Sequence, residues 1–168
     1  IGNQALYANT TATKNTAVGY QAGKNLTTGP NCVAIGYEAL RDCTTNGECV
    51  AVGAEALLNN TQANATAVGW YAARLNTTGN YTTAFGRAAL DDNTTGDYNT
   101  AMGGGALSDV TTGDNNTGIG YQSGTSSSPS GSITTGSNNF VLGNNSVANL
   151  YCADTSISSS DARDKTDV

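Results

Sequence analysis

The sequence predicts an all-β chain: a parallel β-solenoid (β-roll) of coils about 17 residues long, assembled as an elongated homotrimer. The first observation behind this is a repeat. Gly recurs at positions 2, 19, 36, 53, 69, 86, 103 and 120, in steps of 17 with a single step of 16. One phrase returns around each Gly: NTAVGYQAG (15–23), CVAIGYEAL (32–40), CVAVGAEAL (49–57), ATAVGWYAA (65–73), TTAFGRAAL (82–90), NTAMGGGAL (99–107) and NTGIGYQSG (116–124). Self-similarity at a fixed short period marks a fold built by stacking one supersecondary unit. The second observation is alternation. Bulky Val18, Ile35, Val52, Val68, Phe85, Met102 and Ile119 precede the Gly, and small Ala17, Ala34, Ala51, Ala67, Ala84, Ala101 and Gly118 precede those. Period two means strand. Apolar character on both faces is the pattern of a parallel strand covered on both sides. The third observation concerns assembly. One thin coil shields only one face, so the Val/Ile/Phe/Met face is expected to pack on other copies, with a threefold axis the simplest closure.

Each coil then reads in order. The T-A-V run is a short strand, the Gly ends it, and the following x-A-L is expected to be a second strand. A turn written LTTG (26–29), NTTG (76–79 and 93–96) or VTTG (110–113) leads back. Stacked at the interstrand spacing of ~4.8 Å, eight coils make a rod segment ~38 Å long. The solenoid repeats are assigned to 1–122. Residues 123–137 are read as a Ser/Gly-rich loop insertion, and 138–148 (NNFVLGNNSVA) as the final coil. Residues 149–160 read as an extended neck, followed by a charge-dense tail, 161–168. The opening Ile1, in place of a start Met, reads as the edge of a processed or excised fragment.

Composition removes several classes of function. The chain has 168 residues, with 25 Thr, 20 Asn, 21 Gly and no His. Without His there is no Ser-His-Asp triad and no His-bearing metal site. A net charge of −6 argues against nucleic-acid binding. No apolar run approaches the ~18–20 residues of a membrane span. No acid pair, metal set or nucleophile–base pair falls on the repeat body, so the chain is read as non-enzymatic, without cofactor or metal.

Four sets of residues are singled out. Tyr20, Tyr37, Trp70 and Tyr121 share the position after the Gly, and Tyr81 and Tyr98 share another. Such ladders bind sugar faces or simply cover coil edges. Among the cysteines, Cys43 and Cys49 bracket TTNGE and form a candidate disulfide ring. Cys32 and Cys49, both four before their Gly, should stack one coil apart, and Cys152 stands alone in the neck. Asp92 with Asp109, and Asp97 with Asp114, form acidic columns that either splay into water or enclose a cation. N-x-T sequons such as Asn9, Asn76, Asn93 and Asn115 are by-products of the turn.

The coil phrase and its NTTG turn resemble the 17-residue repeats of phage tail-fibre and tail-fibre-like proteins. NNFVLGNNSVA resembles the shorter repeats of trimeric autotransporter adhesin heads, which are left-handed β-rolls. SSDARDKTDV (159–168) resembles the entry into the intramolecular chaperone domain that ends many phage fibres and spikes. That family trimerises its stalk and releases itself by autoproteolysis with a Ser–Lys pair. The resemblance implies Ser160 and Lys165 as the precursor's self-cleavage residues, beside a chaperone domain that would begin at 161–168. It also implies a virion tail-fibre location outside the cell and a host cell-surface receptor, with a glycan as one form of it. The expected function is therefore a structural segment of a trimeric viral or phage-like fibre or spike. The alternatives are an ice-binding β-solenoid presenting columns such as Thr28, Thr45, Thr78, Thr95 and Thr112, and a cell-surface trimeric adhesin head.

Overall fold

The structure, a computed structural model, describes residues 1–149. It is an all-β parallel solenoid. Eight strands of three residues each follow one another: β1 Thr16–Val18, β2 Val33–Ile35, β3 Val50–Val52, β4 Thr66–Val68, β5 Thr83–Phe85, β6 Thr100–Met102, β7 Thr117–Ile119 and β8 Phe140–Leu142. They form a single parallel sheet in chain order, with each T-A-V run in register with the next: Ala17 opposite Ala34, Ala34 opposite Ala51, Ala51 opposite Ala67. The 16-residue step between Gly53 and Gly69 leaves this register intact. The missing residue is therefore absorbed in the turns, where backbone geometry is less constrained than in a ladder.

The middle residue of every strand faces inward. Ala51, Ala67, Ala84 and Ala101 are fully buried. Small residues fill this column up to Gly118, because it abuts the Leu column (Leu40, Leu57, Leu90, Leu107), which is likewise fully buried; Val141 takes the place in the last coil. Burying each Leu contributes ~1.5–3 kcal/mol. The Gly after the strand is required by close approach. Gly86 sits at φ +133, and a Cβ there would lie 2.6 Å from the Gly103 carbonyl carbon. No L side chain tolerates both that backbone conformation and that contact.

The expected second strand is absent. In its place, x-A-L is a pair of tight turns. Ala39 N–H donates to Gly36 O, Ala56 N–H to Gly53 O and Ala89 N–H to Gly86 O, each an i→i+3 bond. Glu38 (φ 51) and Leu40 (φ 54) both lie in the left-handed region, as do their counterparts Glu55 and Leu57. The reason is visible in the burial. Ala39 and Leu40 are neighbours and both are buried, whereas a strand sends neighbours to opposite faces. Isolated left-handed residues are costly. Here cross-coil bonds hold them: Leu40 N–H to Ala56 O and Leu57 N–H to Ala72 O, both 3.0 Å.

The extra residues between Gly120 and Gly143 occupy a shorter stretch than 123–137. Leu107 N–H still bonds Ser123 O, and Thr111 N–H bonds Thr134 O, so the coil continues on both sides of residues 125–132. That loop folds against the next coil. Ser128 Oγ donates to Gly143 O, and Asn145 N–H donates to Ser127 O. No helix among the described residues is long and apolar enough to cross a membrane.

Candidate functional site: the outer sheet face and the coil interior

Because Ala faces inward, the two residues beside it face out. The outer face of the sheet therefore carries two central columns. One is Thr16, Val33, Val50, Thr66, Thr83, Thr100, Thr117 and Phe140. The other is Val18, Ile35, Val52, Val68, Phe85, Met102, Ile119 and Leu142. Neither contains a charged residue. Within one chain the second column stays open to solvent: Ile35 is 38% exposed, Phe85 41% and Met102 48%.

Aromatic ladders flank these columns. Tyr20 and Tyr37 stack at 5.4 Å between ring centroids, 13° from parallel. Their column continues through Ala54, Trp70, Arg87 and Gly104 to Tyr121. Arg87 lies over the Trp70 ring at 4.9 Å, and Tyr71 leans on Trp70 at 40°. On the opposite flank Tyr81 and Tyr98 stack at 5.3 Å. All six rings expose 44–64% of their surface. The neighbouring Glu38 carboxylate pushes the Tyr37 phenol above its ordinary range. Tyr20, Tyr37, Trp70 and Tyr121 thus lie on one column, interrupted at Ala54, Arg87 and Gly104, with Tyr81 and Tyr98 on the other. No enclosed cavity accompanies them among the described residues.

The acidic columns are hydrogen-bonded rather than stacked charge on charge. Asp97 Oδ1 accepts from Asn80 N–H and Asp114 Oδ1 from Asp97 N–H, both at 2.8 Å, so each carboxylate caps a backbone donor of the previous coil. Asp109 takes hydroxyl protons from Ser108 and Ser132. Among the described residues no group of three or more Cys, Asp or Glu is placed to hold a metal ion. Elsewhere Asp91 receives Arg74 at 3.0 Å, although burial holds its carboxyl above the usual range against that cation.

The interior carries two polar columns whose roles the sequence did not reveal. In the first, Asn76 Nδ2 donates to Asn60 Oδ1 (2.8 Å) and Gly79 O (2.9 Å), and Asn93 Nδ2 donates to Asn76 Oδ1 (2.8 Å) and Gly96 O (3.1 Å). In the second, Asn99 Oδ1 accepts from Asn116 N–H, and Asn116 Oδ1 accepts from the Asn139 N–H and amide. Asn76 and Asn93 are fully buried, so their sequons are closed to modification in the folded chain. The one signal that could have found them is the fixed spacing of Asn to the turn Gly, three residues on, whose carbonyl each amide reaches. The Thr28, Thr45, Thr78, Thr95 and Thr112 column lies exposed at the turns, not on the sheet.

The cysteines replace asparagines in these columns. Cys32 and Cys49 follow Asn15 in the second, and Cys43 precedes Asn60 in the first. All three are buried free thiols. The Cys43 thiol donates to Asn46 O at 3.1 Å, inside its own turn, and no bond joins it to Cys49. Ser160, Lys165 and Cys152, with the neck from 150 onward and the 161–168 tail, lie outside the described residues. Compared with known proteins, the chain matches no family model, no curated sequence and no solved structure.

Proposed function

We propose that this chain is a non-enzymatic rod segment of a trimeric fibre or spike of the phage-tail kind, which extends from a particle outside the cell and presents surface to a host receptor. The outer sheet face carries this reading. Eight three-residue strands stack along ~38 Å, so each chain offers one continuous uncharged strip to a partner copy. The face is uncharged at its centre, with an unbroken apolar column from Val18 to Leu142, and aromatic at its edges, so identical copies can meet along the length of the rod. Receptor contact then falls to surfaces left open in the trimer. The DARDKT tail supports a precursor that carries a chaperone domain and cuts itself beside Ser160.

Light scattering on the purified chain tests the assembly. The expected mass is three times the 17.0 kDa of one chain. Ile35→Glu together with Phe85→Glu, two changes on the outer column alone, should give folded monomers. A wild-type chain that stays a monomer at micromolar concentration overturns the proposal.

A further inference from the structure

We propose that Cys32 and Cys49 are a disulfide-forming pair that staples two consecutive coils, with Cys43 remaining a thiol. The sheet register places them. Cys32 directly precedes Val33 and Cys49 directly precedes Val50, and Val33 pairs with Val50. Val33 N–H bonds Cys49 O at 2.8 Å, so the ladder is closed at this rung. Neighbouring parallel strands lie ~4.8 Å apart, inside the ~4.4–6.8 Å Cα separation of disulfides.

The surroundings distinguish the three thiols. Where other coils have an amide at this column, Cys32 and Cys49 bring two sulfurs together in a dry interior; both residues are essentially unexposed. Asn60 Nδ2 reaches Cys49 Sγ at 3.5 Å from the adjacent column and fixes its position. Cys43 lies in the other column, where its thiol donates to Asn46 O inside its own turn and burial pushes it up to about 12. The contact between the other two splits their acidities. The Cys49 thiol donates to Gln62 O at 3.3 Å and Gly47 O at 3.5 Å and the Cys32 thiol to Pro30 O at 3.6 Å, while the influence of the two thiols on each other holds Cys32 down and Cys49 up. As the coils close and this contact forms, Cys32 becomes the more acidic of the two and attacks first.

The oxidant is a small-molecule disulfide such as oxidised glutathione. The Cys32 thiolate attacks one glutathione sulfur, forming a mixed disulfide and releasing one glutathione thiolate. Cys49, losing its proton to solvent or to that thiolate, then attacks Cys32 Sγ and expels the second. Two cysteine thiols are oxidised and one oxidised glutathione is reduced to two glutathione molecules. Since the folded coil seals both sulfurs, exchange takes place while these coils close during folding. This inference is independent of the fibre reading.

The test is to unfold the reduced full chain and refold it in a mixture of reduced and oxidised glutathione. Remaining thiols are then alkylated and the peptides mapped by mass spectrometry without reduction. The expected map joins the Cys32 and Cys49 peptides and leaves Cys43 alkylated. The linked form should melt above its reduced counterpart, and Cys43→Ser should retain the link. A Cys43–Cys49 or Cys32–Cys43 link, full alkylation of Cys32 and Cys49, or a linked form that melts lower than the reduced one, overturns the proposal. The wild-type map needs no variant to fold, and the oligomeric state is read separately.

Discussion

Removing one amide from the middle of the buried ladder should cost more than any surface change in this chain. Asn76→Ala deletes two donated bonds, to Asn60 Oδ1 and Gly79 O, and the acceptor of the Asn93 amide. Each bond contributes ~0.5–1.5 kcal/mol net, and a buried polar group left unpaired costs ~1–3 kcal/mol. Asn60 Oδ1 is orphaned outright, whereas the Asn93 amide keeps Gly96 O at 3.1 Å. A loss of ~3–5 kcal/mol follows, or ~6–20 °C in melting temperature for a chain of this size. Asn93→Ala should cost less, ~2–3 kcal/mol, because it removes one bond fewer: Asn93 Oδ1 has no partner, its neighbour up the column being Val110. Thr78→Ala, on an exposed turn, should stay within ~0.5 kcal/mol. Thermal and urea melts followed by circular dichroism give the order. If Asn76→Ala melts with Thr78→Ala, the ladder is incidental and the interior is held by its Ala and Leu columns alone.

Other expectations come from the same geometry. Ala84→Leu, at a fully buried column, should cost at least ~1–3 kcal/mol by overpacking and repeat in every copy of an assembly; a melting temperature equal to wild type would mean the buried face is wrongly assigned. Gly86→Ala should be worse, since its Cβ meets the backbone of Gly103, and recovery of wild-type stability would contradict that close approach. Tyr98→Ala should remove the Tyr81 stack at a cost of only ~0.5–1.5 kcal/mol and leave the melt nearly unchanged. In a chain extended past Val168, Ser160→Ala or Lys165→Ala should abolish release of a fragment on denaturing gels; a fragment of unchanged size from both variants would reduce the tail to a linker.

Much of the coil was legible because a repeat turns a sequence into columns. Once Gly19, Gly36 and Gly53 were aligned, Ala17, Ala34 and Ala51 had to share one face of a strand and Val18, Ile35 and Val52 the other, since strand side chains alternate. The inward Ala column, the parallel stacking and the exposed Ile35–Phe85 face all follow from that local rule. The second strand failed where local rules ran out. Ala39 and Leu40 continue the apolar run after the Gly, but both are buried in the same coil interior, and a chain sends adjacent side chains to one side only by turning. Leu40 holds φ 54 because Ala56 O, one coil away, receives its N–H. The asparagines were misjudged for the same reason. NTTG is a turn signature whichever way its Asn points. Only the next coil, bringing Asn60 within 2.8 Å of Asn76, makes inward the favourable direction. The stacking of Cys32 on Cys49 was legible from their shared place four residues before the Gly, and the ladder pairs Val33 with Val50 beside them. Sequence determined what each coil is made of, through the short-range alternation of a strand. The stack decided which way its turns and amides face, because those conformations are stabilised by hydrogen bonds that exist only between coils.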